Sequence, residues 1–397
     1  MNLKYILFYV ALTLQLLPCI SFSLTRLEIN PFAFFASLLC IAISKYSLPG
    51  NLWLLLVPAS VCLAFTSLIG LGDFDIWMAG RSLIMYSTPF VVAACIYRAI
   101  KAGFDIDRIG RHVRIIMWIW CIAGVAQWLI DPNIIEFLVR VREGSGRGVN
   151  GFAPEPSFYG LSVILIWLIL YYIQPSIAMS WTYIFLLVFQ VVILSKAALP
   201  SVVVVFAMAL WLSVNSTRVF IALVATCLGA GVYVFESDML ESLDFRFLTL
   251  LNHLIESPST ILLFDGSVSE RFFHLYLSLL NSFSDFLIPH GLYGFNRVIA
   301  EGQMEYVTFN YGEHTTYIMS GFGAALYELG FFSLIYFVVT FRLLRSQIAL
   351  TKFDKIFIPF VLFLCYFNSV TLAAPYFGIL LGLMAARKFD QTCSTER

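Results

Sequence analysis

Apolar stretches of bilayer-crossing length recur from one end of this chain to the other, and they leave an all-α integral membrane protein as its fold class. A spanning helix needs about 17–25 mainly apolar residues, because the hydrocarbon core offers its backbone no hydrogen-bond partner. Twelve runs are read, at 4–23, 31–47, 52–71, 76–97, 115–131, 157–173, 181–195, 198–214, 219–235, 315–341, 356–372 and 374–386. The second, seventh and last are short and 181–214 can be divided in more than one way, so the count runs from eleven to thirteen. With 60% of its 397 residues apolar, the chain is expected to form a single polytopic domain over 1–397, with no room for a large soluble unit.

Lysines and arginines set the expected orientation, since short cytoplasmic loops collect them. Segments 98–114 and 342–355 are rich in both, whereas 236–314 holds only Arg246, Arg271 and Arg297 against eleven acids. The first pair and both termini are therefore predicted to be cytoplasmic, and 132–155 and 236–314 to lie outside. Loop 132–155 goes against the trend. It keeps Arg140, Arg142 and Arg147 on the outer side, which points to an anionic substrate handled at that surface. Lys4 before an apolar run resembles a signal peptide, but no small-x-small cleavage site follows, so the first helix is read as retained. Seven of the eight cysteines lie in or beside apolar runs, and none is spaced for a metal or a redox pair.

The large outer segment, 236–314, carries helical patterning of its own. Leu240, Leu243, Phe247, Leu250, Leu251 and Leu254 recur at helical spacing. A second helix is predicted from Ser267, where Ser267-Val268-Ser269-Glu270 reads as a capping box, with Phe272, Leu275, Leu279, Phe283 and Leu287 as its apolar stripe. Pro289, Gly291 and Gly294 end it. Such helices lie flat on the membrane or cap the bundle.

Several side chains could carry chemistry, each with a plainer alternative. Arg271 falls in the first turn of the second loop helix, where a cation opposes the helix dipole. An anion held there, such as phosphate, explains it better than helix stability does; the plain alternative is a surface arginine paired with Glu270 or a nearby acid. Glu155 sits between two prolines at the entry to a span, a rigid helix start that could also present a general base. His314 stands between a polar loop and a span, as an interfacial histidine or as a titrating group. Arg81 lies about six residues into the fourth span, roughly 9 Å down at 1.5 Å per residue. Arginine at such depth faces a cavity or a partner. Glu328 lies deeper, too far for an easy pair with Arg81. Asp73 and Asp75 could hold a metal, but helix capping accounts for them. Lys196, in the turn Ser195-Lys196-Ala197, is a further phosphate contact.

Taken in order, these motifs resemble those of bacterial Wzy-type polysaccharide polymerases and the related O-antigen ligases. Arg147-Gly148-Val149-Asn150-Gly151-Phe152 leading into Ala153-Pro154-Glu155-Pro156-Ser157 looks like the family's Arg-x-x-x-Gly-x-Phe entry to a span. Leu194-Ser195-Lys196 resembles its serine-rich turn. Ser269-Glu270-Arg271 followed by Pro289-His290-Gly291-Leu292-Tyr293-Gly294 resembles an arginine-headed loop helix, and His314 with Gly321 and Gly330 the histidine that opens the next span. The likeness covers about residues 115–340. Thr315 after the histidine, and Lys196 where ligases often have Ser-Arg, depart from the ligase pattern.

The resemblance implies a GT-C-like membrane glycosyltransferase that needs no metal or cofactor and works at the periplasmic face of the bacterial inner membrane. Its donor is an oligosaccharide on undecaprenyl pyrophosphate, and its acceptor a second lipid-linked repeat unit. By the same resemblance Arg147 and Arg271 stabilise the leaving pyrophosphate and His314 acts at the acceptor hydroxyl or the pyrophosphate. Glu155 is added as a candidate base, and Arg140, Arg142, Arg81 and Lys196 as substrate contacts. A chain-length regulator in the membrane is an expected partner, and nucleic acid is not. Two other readings stay open. One is a ligase that transfers glycan to lipid A-core; the other is a lipid-linked oligosaccharide flippase, which the absence of repeated halves makes a poorer match.

Overall fold

The computed structural model describes residues 3–21, 29–69, 76–140, 148–215, 257, 266–291, 318–348, 350–368 and 370–395. The run at 219–235, the loop helix near 240–254, and three candidate site residues, Arg142, Arg147 and His314, lie outside them. Among the described residues there are helices, no strand, and one isolated antiparallel bridge from Ile20 to Val139. Five segments are long and apolar enough to cross a membrane: Gly50–Ser67, Gly80–Lys101, Ile106–Leu129, Pro156–Ile173 and Gly321–Arg345. Together with five shorter apolar helices they mark a multi-pass membrane protein.

In chain order the helices are α1 (Leu3–Leu16), α2 (Phe32–Ile43), α3 (Gly50–Trp53), α4 (Leu56–Ile69), α5 (Ile76–Lys101) and α6 (Ile106–Leu129). Then come α7 (Pro156–Ile173), α8 (Pro175–Ala178), α9 (Trp181–Val188) with a π-helical continuation (Phe189–Leu194), and α10 (Ala198–Asn215). The last group is α11 (Gly266–Ser284), α12 (Gly321–Leu329), a 3-10 turn (Gly330–Ser333), α13 (Leu334–Arg345), α14 (Asp354–Asn368) and α15 (Tyr376–Thr395). The ambiguous 181–214 stretch resolves into two helices joined by the turn at 195–197.

α7 is the axis of the bundle. Every residue from Ser157 to Ile173 is buried, as a helix apolar on all sides requires. Its polar atoms find partners inside the protein: Tyr159 donates to Gln190 Oε1 at 3.1 Å, Trp167 Nε1 to the Ala178 carbonyl at 3.1 Å, and Tyr171 to Asp354 Oδ1 at 2.6 Å. α5 and α15 make the most extensive helix pair, and two glycines four residues apart allow it. A Cβ on Gly382 would come 2.6 Å from the Ala93 carbonyl, and one on Gly378 2.9 Å from that of Pro89. Small residues at this spacing let membrane helices approach backbone to backbone.

The two ends of the bundle differ in charge. At one end Arg98 donates to carbonyls at the close of α2, Arg387 to the Tyr172 and Ile173 carbonyls closing α7, and Lys355 to the Arg345 carbonyl closing α13. Cations at helix C-termini complement the dipole there. The opposite end gathers the 17–21 and 138–140 backbone, the 148–155 segment, the 195–197 turn and the start of α11.

The predicted span at 315–341 is broken. Gly330 takes a left-handed φ of +54°, and the chain passes through a 3-10 turn before α13 begins. The segment after α11 closes that break. Phe331 N–H donates to the Leu287 carbonyl at 2.7 Å, while the amides of His290 and Gly291 donate to the Tyr327 and Glu328 carbonyls, each at 3.2 Å. The His290 ring stacks on Tyr327 at 4.3 Å and meets Asp285 at 2.7 Å.

α11 begins at Gly266, beside the predicted cap, but presents a different face from the one expected. Phe272, Tyr276, Leu280 and Phe283 are exposed, whereas Ser269, Phe273, His274, Leu277, Ser278 and Ser282 are buried. The stripe predicted through Leu275 and Leu279 is only half-buried, and its member Phe283 faces outward. Serines satisfy their hydroxyls on the helix's own carbonyls, as Ser278 does on His274 and Ser282 on Ser278, and so can pack closely against glycine and alanine in α12. α11 runs alongside α12 in the same direction, with His274 at Met319 and Leu287 at Gly330.

Candidate functional site

The site sits where the entry to α7 meets the first turns of α11. The entry is rigid for local reasons. Val149 N–H donates to the Leu194 carbonyl at 2.9 Å, and Gly148 lies directly on the Ser195 carbonyl, where a side chain has no space. Gly151 adopts φ +52°, a conformation that favours glycine, and its amide donates to Gln127 Oε1 at 2.6 Å. Pro154 and Pro156 flank an extended Glu155 (φ −151°, ψ 160°), and Pro156 occupies the first helical position.

Glu155 stands at the N-cap of α7 without capping it. Its carboxylate instead accepts from Arg271 and from the Ser157 hydroxyl, and Arg271 Nη2 also donates to Ser157 Oγ at 2.7 Å. The three side chains close a ring. The Arg271 and Glu155 side chains are only 10% and 16% exposed, so the pair is largely taken out of water. The guanidinium's remaining donors make no hydrogen bond among the described residues. Arg271 is thus paired with an acid, but with Glu155 from a distant helix, and in a mostly buried setting.

His274, one turn after Arg271, is buried. Its Nδ1 accepts the Met319 N–H at 3.1 Å, which places the ring proton on Nε2. Burial pushes its pKa down to about 4, so the imidazole is neutral near pH 7. The buried hydroxyl of Ser269 has no hydrogen-bond partner among the described residues.

The remaining candidates divide by position. Lys196, at φ +51°, is half-buried in a turn whose Ser195 Oγ accepts the Ala197 N–H at 3.2 Å. That turn packs on Gly148 and on Gly160 of α7, so it belongs to the same end as Glu155. Arg140 is exposed at that end, beside the Ile20–Val139 bridge. Arg81 is exposed on α5, with no hydrogen bond joining it to Arg271 or Glu155. Glu328 accepts from Tyr86, not from Arg81.

Ser157, which the sequence shows only as the end of the Pro-Glu-Pro-Ser entry, and His274 are not among the site residues expected from the sequence. Ser157 follows the Pro-Glu-Pro run as an ordinary helix-start residue, though its place two residues after Glu155 was a usable signal. His274 lies three residues after Arg271, a spacing that shares a helix face, and the apolar residues on both sides of it hide that signal. A scan against protein-family models finds no match, and a search of curated proteins finds none either.

Proposed function

We propose that the chain is a polysaccharide polymerase, a GT-C-like bundle of about twelve spans in the bacterial inner membrane. In this reading it transfers a growing glycan from undecaprenyl pyrophosphate to a lipid-linked repeat unit at the periplasmic face. The observation that carries it is the Arg271–Glu155–Ser157 ring, a buried cation and carboxylate at the end of the bundle remote from the cationic helix ends. The positive-inside rule puts that remote end in the periplasm.

The chemistry follows from the pairing. Without substrate, Arg271 and Glu155 neutralise each other. A pyrophosphate arriving at the guanidinium competes with the carboxylate for the same donors, since bidentate arginine–phosphate contacts are strong. Glu155 is then free to accept the proton of the acceptor hydroxyl as its oxygen attacks the anomeric carbon. The bond to the pyrophosphate oxygen breaks, and Arg271, with Arg147, stabilises the charge that develops on the leaving group. His314 acts with Glu155 at the acceptor hydroxyl, and Lys196, Arg140, Arg142 and Arg81 guide the anionic donor.

Purified protein given lipid-linked repeat units alone should build longer glycans on the lipid. Transfer only when lipid A-core is added would make the chain a ligase. Translocation of the lipid-linked unit without any new glycosidic bond would make it a flippase.

A further inference from the structure

At the cation-rich end, far from the Arg271 site, the first turn of α1 and the C-terminal ends of α2 and α5 enclose a cavity of about 260 Å³. Among the described residues Lys4, Lys45, Arg98 and Ser44 line it, and no carboxylate does. Leu7 and Phe104 form part of its apolar wall. Arg98 is fixed in place: its Nη1 donates to the Ile41 carbonyl at 2.7 Å and the Ser44 carbonyl at 3.3 Å. That anchoring leaves the Arg98 Nε and the Ser44 hydroxyl, both buried, with no hydrogen-bond partner among the described residues. A buried unsatisfied donor costs about 1–3 kcal/mol, and more when it is charged.

We propose that this cavity is a second binding site, independent of the reaction proposed above, for a phosphate ester: the headgroup of an anionic membrane phospholipid. The fixed guanidinium and the Ser44 hydroxyl supply the hydrogen bonds a phosphate oxygen needs, and the two exposed lysines supply charge at the rim. A cavity of about 260 Å³ admits a headgroup and not a whole lipid. Its position at the end of α5, which is long and apolar enough to cross a membrane, leaves the acyl chains to run down the apolar surface of α1. Basic pockets of this kind between membrane helices bind anionic headgroups.

The test uses the full-length protein in detergent, titrated with phosphatidylglycerol, phosphatidylcholine or inorganic phosphate, with bound lipid counted by native mass spectrometry and melting followed in parallel. Phosphatidylglycerol should be retained and raise the melting temperature, and phosphatidylcholine should not. Lys4→Gln combined with Lys45→Gln should weaken phosphatidylglycerol retention by roughly thirty-fold. That double variant leaves the Arg98 contacts to α2 in place, and its retention is read against its own lipid-free melting temperature. Arg98→Lys should lower retention further. Equal retention of the two lipids, or unchanged phosphatidylglycerol retention in the double variant, overturns the site. Stabilisation by inorganic phosphate with no lipid preference overturns the lipid as its source.

Discussion

Arg271 and Glu155 lie 116 residues apart in sequence, and the ion pair between them joins the start of a predicted loop helix to the entrance of the most deeply buried helix in the bundle. Ser157 closes the pair into a ring. The geometry makes structural and chemical roles separable, because charge and hydrogen bonding can be removed one at a time.

Arg271→Ala should abolish polymer and leave single repeat units on the carrier or on core, and Arg271→Lys should recover only part, since lysine lacks the two-pronged geometry. Removing one partner of a buried pair costs about 3–5 kcal/mol, so protein level must be matched. A melting cycle of Glu155→Gln, Arg271→Met and the double variant should give a coupling of about 0.5–3 kcal/mol. Wild-type polymer length from Arg271→Ala at equal protein level removes Arg271 from the mechanism.

His314→Ala should eliminate detectable polymer while the protein still inserts and purifies, because a base or orienting group contributes about 10²–10⁴-fold to rate. His314→Gln separates the roles: some activity is expected from a hydrogen bond and almost none from proton transfer. Chelator should leave the purified reaction unchanged. A strict need for a divalent cation would move attention to Asp73 and Asp75.

Stability should fall on acidification through His274. Its pKa is about 4 in the fold against an ordinary value near 6.5. The unfolded chain therefore takes up the proton first. The stabilisation is complete above about pH 6.5 and is lost progressively as pH drops toward 4. His274→Asn retains an acceptor for the Met319 amide and does not titrate, so its melting temperature should vary less between pH 7 and 5. An unchanged slope would assign the pH response to other groups.

Gly330→Ala should destabilise the protein by about 1–3 kcal/mol or more, since it combines a left-handed backbone with a Cβ against the Leu287 carbonyl. Limited proteolysis should show α11 released first. A melting temperature equal to wild type would mean that the break relaxes at no cost.

Orientation can be read by thiol labelling. Cysteines placed singly by Ser145→Cys and Gly302→Cys should react with an impermeant reagent in intact spheroplasts, and Lys352→Cys only after lysis. The reverse pattern would move the Arg271 site to the cytoplasmic face.

The sequence makes the helical entry at Pro156 plain, because proline at a first helical position, followed by an apolar run of the right length, permits little else. It also flags Glu155 and Arg271 singly. Their partnership was not legible, since nothing local links residues 116 apart. The face of α11 was misjudged for a physical reason. In a water-soluble helix large apolar side chains turn inward, but here serines and His274 face α12 while Phe272, Tyr276 and Phe283 face outward. Gly330 stands out only as a glycine within an apolar run; that it breaks the helix depends on the 285–291 backbone that completes its hydrogen bonds.

That last dependence limits how the protein can move. The amide of Phe331 and the carbonyls of Tyr327 and Glu328 hold partners supplied by Leu287, His290 and Gly291. Swinging the far end of α11 aside would strand these groups inside an apolar bundle, at a cost of about 1–3 kcal/mol for each. The far end is therefore riveted, and any opening for the bulky donor proposed above must pivot about it. The travel then falls at the near end, around Gly266 to Arg271, where the contacts of Arg271 with Glu155 and Ser157 are the ones that must give way.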